Sequence, residues 1–173
     1  MAKIYGLVDP DDEAYDLLGR AIQQHHPDLA QHEVTVALYW ASSTKQGEPA
    51  LKHHGYPAAA LVKINADVRL RLKGTADASI TIDKQHWERL DTLQREALLD
   101  HELEHLQVAK SKHGNVKLDD AGRPKLRMAQ HDFELGVFYA VVERYGRTCI
   151  DAQMLAHAGR RLEQLQLPLS AVG

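Results

Sequence analysis

Two histidines four residues apart, with a glutamate beside the first, form the segment of this sequence best suited to chemistry. Residues 101–105 read His-Glu-Leu-Glu-His. On a helix, positions i and i+4 lie on the same face one turn apart, so the imidazoles of His101 and His105 can both reach one Zn²⁺ at about 2.0–2.1 Å. Glu102 lies about 100° further round the helix. It can act there as the general base that takes a proton from a zinc-activated water and passes it to a leaving amine.

Coincidence is the alternative explanation of this HExxH motif, because the chain contains eleven histidines. A random match is expected in roughly 4% of sequences of this length and composition. The surroundings favour a metal site, because the motif falls inside a predicted helix. Leu99, Leu103 and Leu106 cluster on one face of that helix. Leu98 and Val108 lie beside the two histidines, and a merely solvated helix would not need apolar residues there.

A third metal ligand must come from another part of the chain. The extended pattern HExxHxxGxxH requires a glycine at position 108 and a histidine at 111, and the sequence has Val108 and Ser111. That class of site is therefore excluded. The remaining candidates are His113, His131, Glu134 and Glu143.

His131 is the favoured candidate, because it lies on the apolar stripe of a helix predicted over residues 129–145. It should point into the core, where an unpaired imidazole is costly and a ligand is natural. The alternative is a core histidine bonded to a backbone carbonyl. Glu134, about 60° off the stripe, is the second choice as ligand. His113 falls in a predicted turn, and Glu143 lies on the opposite, solvated face.

Length and composition limit the class of protein. The chain has 173 residues, of which 44% are hydrophobic and 26% charged, as in an ordinary globular domain. Its formal charge of −3 is not that of a general nucleic-acid binder. Cys149 has no partner for a disulfide, and neither a leader-type N-terminus nor an apolar run of about 18 residues is present. We therefore expect a cytoplasmic protein with no membrane segment.

Periodic patterns predict the elements that carry these residues. Helices are predicted over residues 11–24, over a short stretch capped by Asp83, over 92–110 behind an Asp91–Gln94 capping box, over 129–145 up to Gly146, and over 150–166. Alternating, strand-like patterns cover residues 33–40, 60–73 and 80–82, with a loop over 41–58 and a polar turn within 115–128. This order predicts an α+β domain, with helices packed on a small antiparallel or mixed sheet.

Five segments around the motif carry a family resemblance. They are Val62-Lys63-Ile64-Asn65, the run 97–106, Asp120-Ala121-Gly122-Arg123-Pro124, His131-Asp132 and Val141-Val142-Glu143-Arg144-Tyr145-Gly146. Together they span about residues 60–147 and resemble the putative phage metallopeptidase family, a group of zincin-like domains from phages and prophages. The resemblance implies a zincin-like fold with an active-site helix, a zinc ion and peptidase activity, but no particular substrate. We therefore expect residues 1–173 to form a single domain of this kind.

A more distant resemblance connects the chain with SprT-like proteases. These place a third histidine in a His-Gly-x-x-aromatic segment, and the corresponding segment here is His131-Asp132-Phe133-Glu134-Leu135. The glycine is absent and the aromatic residue is displaced, so the transfer of residue roles is weaker than for the first family.

Several further polar residues have a structural and a functional interpretation. Asp100 is predicted to be solvated or interhelical, although it could hydrogen-bond a ligand imidazole. Asp132 or Glu134 could orient a ligand as a neighbouring carboxylate. Tyr139 and Tyr145 could donate to an oxyanion, and Tyr145 is more typical of core. The remaining residues are expected to be structural: His25, His26, His53 and His54 on loop surfaces, Arg69, Arg71 and Lys73 on a solvated strand face that could touch nucleic acid, and Cys149 in packed structure.

The leading hypothesis is zinc-dependent hydrolysis of a protein or peptide, with a strand near Ile80–Ile82 holding the substrate by backbone pairing. A metal-stabilised binding protein without turnover is a second hypothesis, and a nucleic-acid-associated protease of the SprT type is a third. Glu102 favours the enzyme, because a purely structural metal site does not need it. The oligomeric state is not predicted.

Overall fold

The computed structural model describes residues 3–45, 47–131, 138–154 and 156. Within these residues the strands are β1 (Lys3–Leu7), β2 (Val36–Ser43), β3 (Leu51–His53), β4 (Tyr56–Ala58), β5 (Ala60–Ile64), β6 (Ala78–Asp83), β7 (Leu106–Val108) and β8 (Leu126–Met128). The helices are α1 (Glu13–His25), α2 (Pro27–Gln31), α3 (Val68–Leu72), α4 (Lys84–Trp87), α5 (Thr92–Glu104) and α6 (Tyr139–Tyr145), and a 3₁₀ turn covers Gly146–Thr148.

A four-stranded mixed sheet is the centre of the fold, with the strand order β1-β2-β6-β5. β2 and β6 are parallel, and the outer strands β1 and β5 are antiparallel to their neighbours. Two short antiparallel ribbons, β3–β4 and β7–β8, lie outside this sheet. The predicted α+β class with a small sheet is confirmed, and the sheet is mixed. No helix in the described residues is long and apolar enough to cross a membrane.

Helices α1 and α5 supply the apolar side chains that cover one face of the sheet. In α1 the buried residues recur at helical spacing, and the Asp12 side chain caps the helix by accepting from the Ala14 amide. The predicted Asp91–Gln94 capping box opens α5. Leu99 and Leu103 are fully buried. The shared core includes Leu17, Leu38, Ile80, Ile82, Leu98, Leu99 and Leu103, so the helix that carries the HExxH motif is fixed by packing from several directions.

Helix α5 ends at Glu104, although the sequence predicted a helix over residues 92–110. Residues 106–108 instead form strand β7, with Leu106 and Val108 buried and Gln107 exposed. This alternation is the period of a strand, and pairing with β8 satisfies the backbone of the segment. The helix prediction was wrong here, because a three-residue alternation is too short to be distinguished from the continuation of a strong helix.

The extended pattern predicted over residues 60–73 is correct only for β5. Asp67 accepts from the Arg69 amide and caps the short helix α3. Arg71, predicted on a solvated strand face, is buried and forms ion pairs with Asp77 and Asp119. Leu70 and Leu72 are exposed, so their alternation does not mark a core face.

Other boundaries also differ from the sequence predictions. The predicted loop 41–58 contains the end of β2 and the β3–β4 hairpin, and β1 was not predicted at all. Of the helix predicted over 129–145, residues 129–131 are not helical, α6 begins at Tyr139, and residues 132–137 lie outside the described part. Gly146 ends α6 as predicted, with a positive φ of 54°. Residues 150–154 and 156 are helical, and the rest of the helix predicted over 150–166 lies outside the described residues.

Candidate metal centre

The two histidines of the HExxH motif lie at the C-terminal end of α5. His101 is inside the helix, and His105 is its capping residue, with φ −67° and ψ −20°. These angles are still helical, so the i, i+4 relation survives although the helix ends there. The two ring centroids are 5.4 Å apart.

His131 reaches the same point from the segment that follows β8. Its Nε2 atom lies 3.3 Å from Nε2 of His101, and its ring centroid is 4.5 Å from that of His105. One ring nitrogen of each of the three histidines lies within 4.8 Å of those of the other two. His131 is not on a helix. It is positioned by backbone pairing, in which the Ala129 amide donates to the His105 carbonyl at 2.7 Å.

The Nδ1 atoms of His101 and His105 each lie at hydrogen-bonding distance from an acceptor oxygen. Nδ1 of His101 lies 2.8 Å and 3.0 Å from the two carboxylate oxygens of Asp151, and Nδ1 of His105 lies 2.9 Å from the Ala129 carbonyl oxygen. A carboxylate and a carbonyl only accept hydrogen bonds, so each Nδ1 carries a proton and donates. In its neutral form each of these two imidazoles therefore has its lone pair on Nε2. The Nε2 atom of His101 lies 3.3 Å from that of His131, a separation at which two lone pairs repel each other and a shared proton or a bound cation relieves the repulsion.

Asp151 joins the candidate centre, and the sequence did not predict it. It is fully buried, and its Oδ2 atom also accepts from the Phe138 amide at 2.8 Å. Ligand histidines in metal sites usually donate their second ring N–H to a carboxylate or a carbonyl, and Asp151 occupies that position for His101. The carboxylates predicted for this role, Asp132 and Glu134, lie outside the described residues. An aspartate fifty residues from its partner follows no spacing rule, so the sequence contained no signal for it.

The charge states of the histidines follow from burial and their neighbours. Burial lowers the pKa of His131 to about 4, assisted by the positive charges of His105 and His101. Burial also lowers the pKa of His105, against the hydrogen bond to Ala129. For His101 burial acts in the same direction, but the hydrogen bond to Asp151 and the charge of Glu102 leave its pKa raised. The Phe138 ring packs 4.7–5.1 Å from all three imidazoles and forms an apolar wall.

Glu102 lies between the histidine cluster and the edge strand β5, where it accepts a hydrogen bond from the Val62 backbone and senses the charge of His101. Its side chain is buried, and this burial raises its pKa to about 7, although the charge of His101 and a hydrogen bond from the Val62 backbone oppose the shift. In the antiparallel register of β5 with β6, residues 59 and 65 bond to β6. Backbone groups of successive residues in a strand point in opposite directions. Those of Val62 therefore point away from β6, to the edge of the sheet. Among the described residues, Glu102 is not one of the ligand atoms that converge with those of the three histidines.

A second polar cluster lies on the neighbouring face of α5. Nε2 of His26 is 2.6 Å from Asp100, and Arg144 donates to both Asp100 and Glu104 at 2.8 Å. His26, Asp100 and Glu104 have the spacing of metal ligands, but the guanidinium already supplies the positive charge there. The predicted surface position of His26 was wrong. Asp100 has the interhelical role, and although burial opposes it, the hydrogen bonds from His26 and Arg144 lower its pKa.

The remaining candidates lie away from the three histidines or outside the described part. His113 is exposed in the turn after β7, and Glu143 is exposed on α6, so neither joins the cluster. Tyr145 packs beside His25 and the Cys149 core, and Cys149 is buried as predicted. His53 and His54 are exposed on the β3–β4 hairpin, and the charge of His53 contributes to the lowered pKa values of both His105 and His131. The side chain of Tyr139 is not described.

Comparison with known proteins gives one family match. The family model described as Putative phage metallopeptidase matches residues 8–160, which include every residue of the candidate centre. No curated protein and no solved structure matches the chain.

Proposed function

We propose that this chain, which belongs to the putative phage metallopeptidase family, hydrolyses peptide bonds with a Zn²⁺ ion held by His101, His105 and His131. The observation that carries the proposal is the convergence of the three histidine nitrogens within 4.8 Å of one another. Three protein ligands with an open fourth position are typical of catalytic zinc, and imidazole suits this metal. When bound, zinc supplies Lewis acidity, which polarises a carbonyl and lowers the pKa of water to about 7.

Glu102 is the proposed general base. It neighbours His101 in the sequence and accepts from the Val62 backbone of the edge strand β5, and its oxygens are not among the ligand atoms that converge, so it is close to the site without competing for the metal. Burial raises its pKa to about 7. Near that value a carboxylate can accept a proton from water and return it to the leaving amine at neutral pH.

The peptide is proposed to lie along β5 rather than along the predicted strand near Ile80–Ile82. Those residues belong to β6, which is paired with β2 on one side and β5 on the other, so its backbone cannot take another strand. β5 ends the sheet, and the backbone groups of Ala60, Val62 and Ile64 face away from β6 by register. The Val62 amide is taken by Glu102, so the proposed pairing uses the Val62 carbonyl and the backbone groups of Ala60 and Ile64. An extended peptide that adds to this edge would pass the Glu102 carboxylate.

Replacing Glu102 by glutamine tests the mechanism. Glutamine keeps the size of the side chain and its hydrogen bonding but cannot accept a proton at neutral pH. Acid–base assistance is typically worth about 10²–10⁴-fold, so we expect Glu102→Gln to lose at least about 10²-fold in cleavage of a mixed peptide library. Zinc content measured on the same samples should be unchanged, because Glu102 is not a ligand in the proposal.

Glu96→Gln is the matched control, because it changes the same residue type on the same helix, away from the histidines. It should cleave like the wild type. Equal cleavage by Glu102→Gln and wild type would remove Glu102 from the mechanism. Zinc binding without cleavage of any peptide by either protein would favour the alternative, a metal-stabilised binding protein without turnover.

A further inference from the structure

Residues 106–128 form a small β-meander. It connects His105 to His131, two of the three histidines of the proposed metal centre. β7 follows His105 and β8 precedes His131 in the chain, and the two strands pair with each other. Between them, Val116 bridges to Lys110, just after β7, and Leu118 bridges to Pro124, just before β8. Ala109, Lys117 and Lys125 are joined in a closed set of backbone hydrogen bonds of 2.8 Å each. The meander is therefore one hydrogen-bonded unit rather than a loose loop.

The two faces of this meander differ in chemistry. Paired residues of neighbouring strands share a face, so the register places Lys117, Lys125 and Arg127 on one side, and all three are exposed. The opposite side includes Val108 and Leu126, which are buried in the main core. We call the side with Lys117, Lys125 and Arg127 the cationic face.

Within the part of the chain that the structure describes, the cations of this face do not hold the fold together through ion pairs. In the described part of the chain none of the three forms an ion pair with a carboxylate, whereas other basic residues do: Arg71, Arg123 and Arg144 pair with buried aspartates. The chain as a whole has a formal charge of −3. Three positive charges on one face, with no ion-pair partner among the described residues, are therefore a local feature and not a consequence of general basicity.

An open groove of about 610 Å³ runs beside the cationic face. Lys117 and Arg127 line its meander wall, and His25 and Leu29 lie on the wall formed by the end of α1 and by α2. Asp28 also lines the groove, but its carboxylate is neutralised by Lys110 at 2.8 Å. An anionic chain can lie in such a groove against the cations without meeting an unpaired carboxylate from the described residues around it.

From this arrangement we infer that the cationic face binds the phosphate backbone of a nucleic acid. Protein interfaces need an apolar or aromatic anchor and are poor in lysine, and among its described side chains the cationic face carries none. Phosphate contacts need only lysine, arginine and polar donors at suitable spacing. Lys125 and Arg127 are two residues apart in extended chain, about 7 Å, and Lys117 lies on the adjacent bridged segment. Sequence-independent binding that weakens with salt is the expected behaviour.

Fluorescence anisotropy of the full chain with labelled 20-nucleotide single-stranded and duplex DNA tests this inference. The wild type should bind at about 50 mM salt, with log K falling linearly against log salt concentration. The triple variant Lys117→Glu, Lys125→Glu, Arg127→Glu should bind at least about tenfold more weakly. Its salt slope on duplex DNA should be smaller by about 2 to 3, because three phosphate contacts are lost.

The matched control is Lys3→Glu, Lys84→Glu, Arg89→Glu, which makes the same change of net charge at exposed residues elsewhere. It should retain most of the binding. Equal losses in both triple variants would overturn the inference, and so would absence of DNA binding by the wild type. Preferential binding of polyglutamate over DNA would also overturn it, in favour of an acidic protein partner. If the glutamate variant fails to fold by circular dichroism, Lys117→Gln, Lys125→Gln, Arg127→Gln makes the same comparison with a milder change.

Discussion

At the scale of single residues, His131 and His113 make a paired test of the third ligand. His131 brings its Nε2 to 3.3 Å from that of His101, and His113 is exposed in a turn. We expect His131→Ala to weaken zinc binding by at least about 10²-fold, because a three-histidine site becomes a two-histidine one. His113→Ala should bind zinc like the wild type. Competition with a chromophoric chelator measures both affinities, and an unchanged affinity in His131→Ala would contradict the proposed ligand set.

Asp151 allows a second test at this scale. Its carboxylate accepts from Nδ1 of His101 and fixes which ring nitrogen faces the cluster. Asp151→Asn keeps the shape but removes the charge that makes the His101 imidazole a better donor of electrons to a metal. Loss of such a partner typically costs 10–100-fold in metal affinity, and we expect a decrease of about that size. If the variant only lowers the stability of the metal-free protein and leaves zinc affinity unchanged, the role of Asp151 is structural.

The sequence predicted some of this centre and not the rest, for identifiable reasons. His101 and Glu102 belong to one helix and His105 caps it with helical backbone angles, so spacing alone determines their geometry. His131 was predicted from a helix that does not include it, and the structure brings it to the cluster by a different route, through the pairing of Ala129 with His105. Asp151 depends on the tertiary packing of the C-terminal segment against α5, which no local pattern encodes.

At the scale of secondary-structure elements, Asp77 connects three parts of the fold. It precedes β6, accepts from the Thr35 amide at 2.8 Å, and pairs with Arg71 of α3 and Arg123 of the meander. Burial acts against ionisation of this carboxyl, but hydrogen bonds from Arg123 and Thr35 lower its pKa below the ordinary value. A carboxyl whose pKa is lowered by folding stabilises the native state above its unfolded pKa, about 3.9. That stabilisation is lost as the pH falls through the lower, native-state pKa.

Asp77→Asn should therefore destabilise the protein in a pH-dependent way. Removing one partner from a buried ion-pair network leaves the Arg71 guanidinium with one of its two counter-charges, Asp119, which costs about 3 kcal/mol at neutral pH. The difference from wild type should shrink as the pH is lowered below about 3.9. Urea unfolding at pH 7 and at pH 3 measures both effects. The exposed Asp120→Asn is the control, expected to change stability by less than about 0.5 kcal/mol, and a pH-independent loss in Asp77→Asn would contradict the charge-based account.

Elements with several agreeing local signals were predicted well, and those that depend on long-range contacts were not. α1 has an apolar stripe and an acidic cap, and the start of α5 has a capping box, so both were correctly placed. The α3 helix contains only five residues, and its alternating basic and apolar residues resemble a strand. The buried ion pairs of Arg71 fix it, and these long-range contacts are not visible in the local sequence. The edge strand β1 is exposed along its whole length and gives no core-facing alternation to detect.

At the scale of the whole molecule, the proposed metal site joins segments that are distant in sequence. α5 and its capping residue supply two histidines, the segment after β8 supplies His131, and the segment after α6 supplies Asp151, which is hydrogen-bonded to His101. α5 is in turn packed in the main core, whereas Phe138 and Cys149 belong to a separate smaller cluster. The site thus connects the main core to the C-terminal segment. That residues 1–173 form a single domain stays a prediction.

Metal binding should accordingly stabilise the folded protein. The unfolded chain does not hold His101, His105 and His131 together, so zinc binds the native state preferentially and adds RT ln(1 + [Zn]/Kd) to its stability. At a free zinc concentration about 1,000 times Kd this amounts to about 4.1 kcal/mol, and we expect the thermal unfolding midpoint to rise by several degrees on adding zinc to chelator-treated protein. The double variant His101→Ala, His131→Ala should show no such rise, because it keeps one ligand of three. Differential scanning calorimetry with and without zinc measures the shift. An equal rise in wild type and double variant would mean that zinc acts elsewhere on the chain, and no rise in the wild type would remove the basis for a metal held by these three histidines.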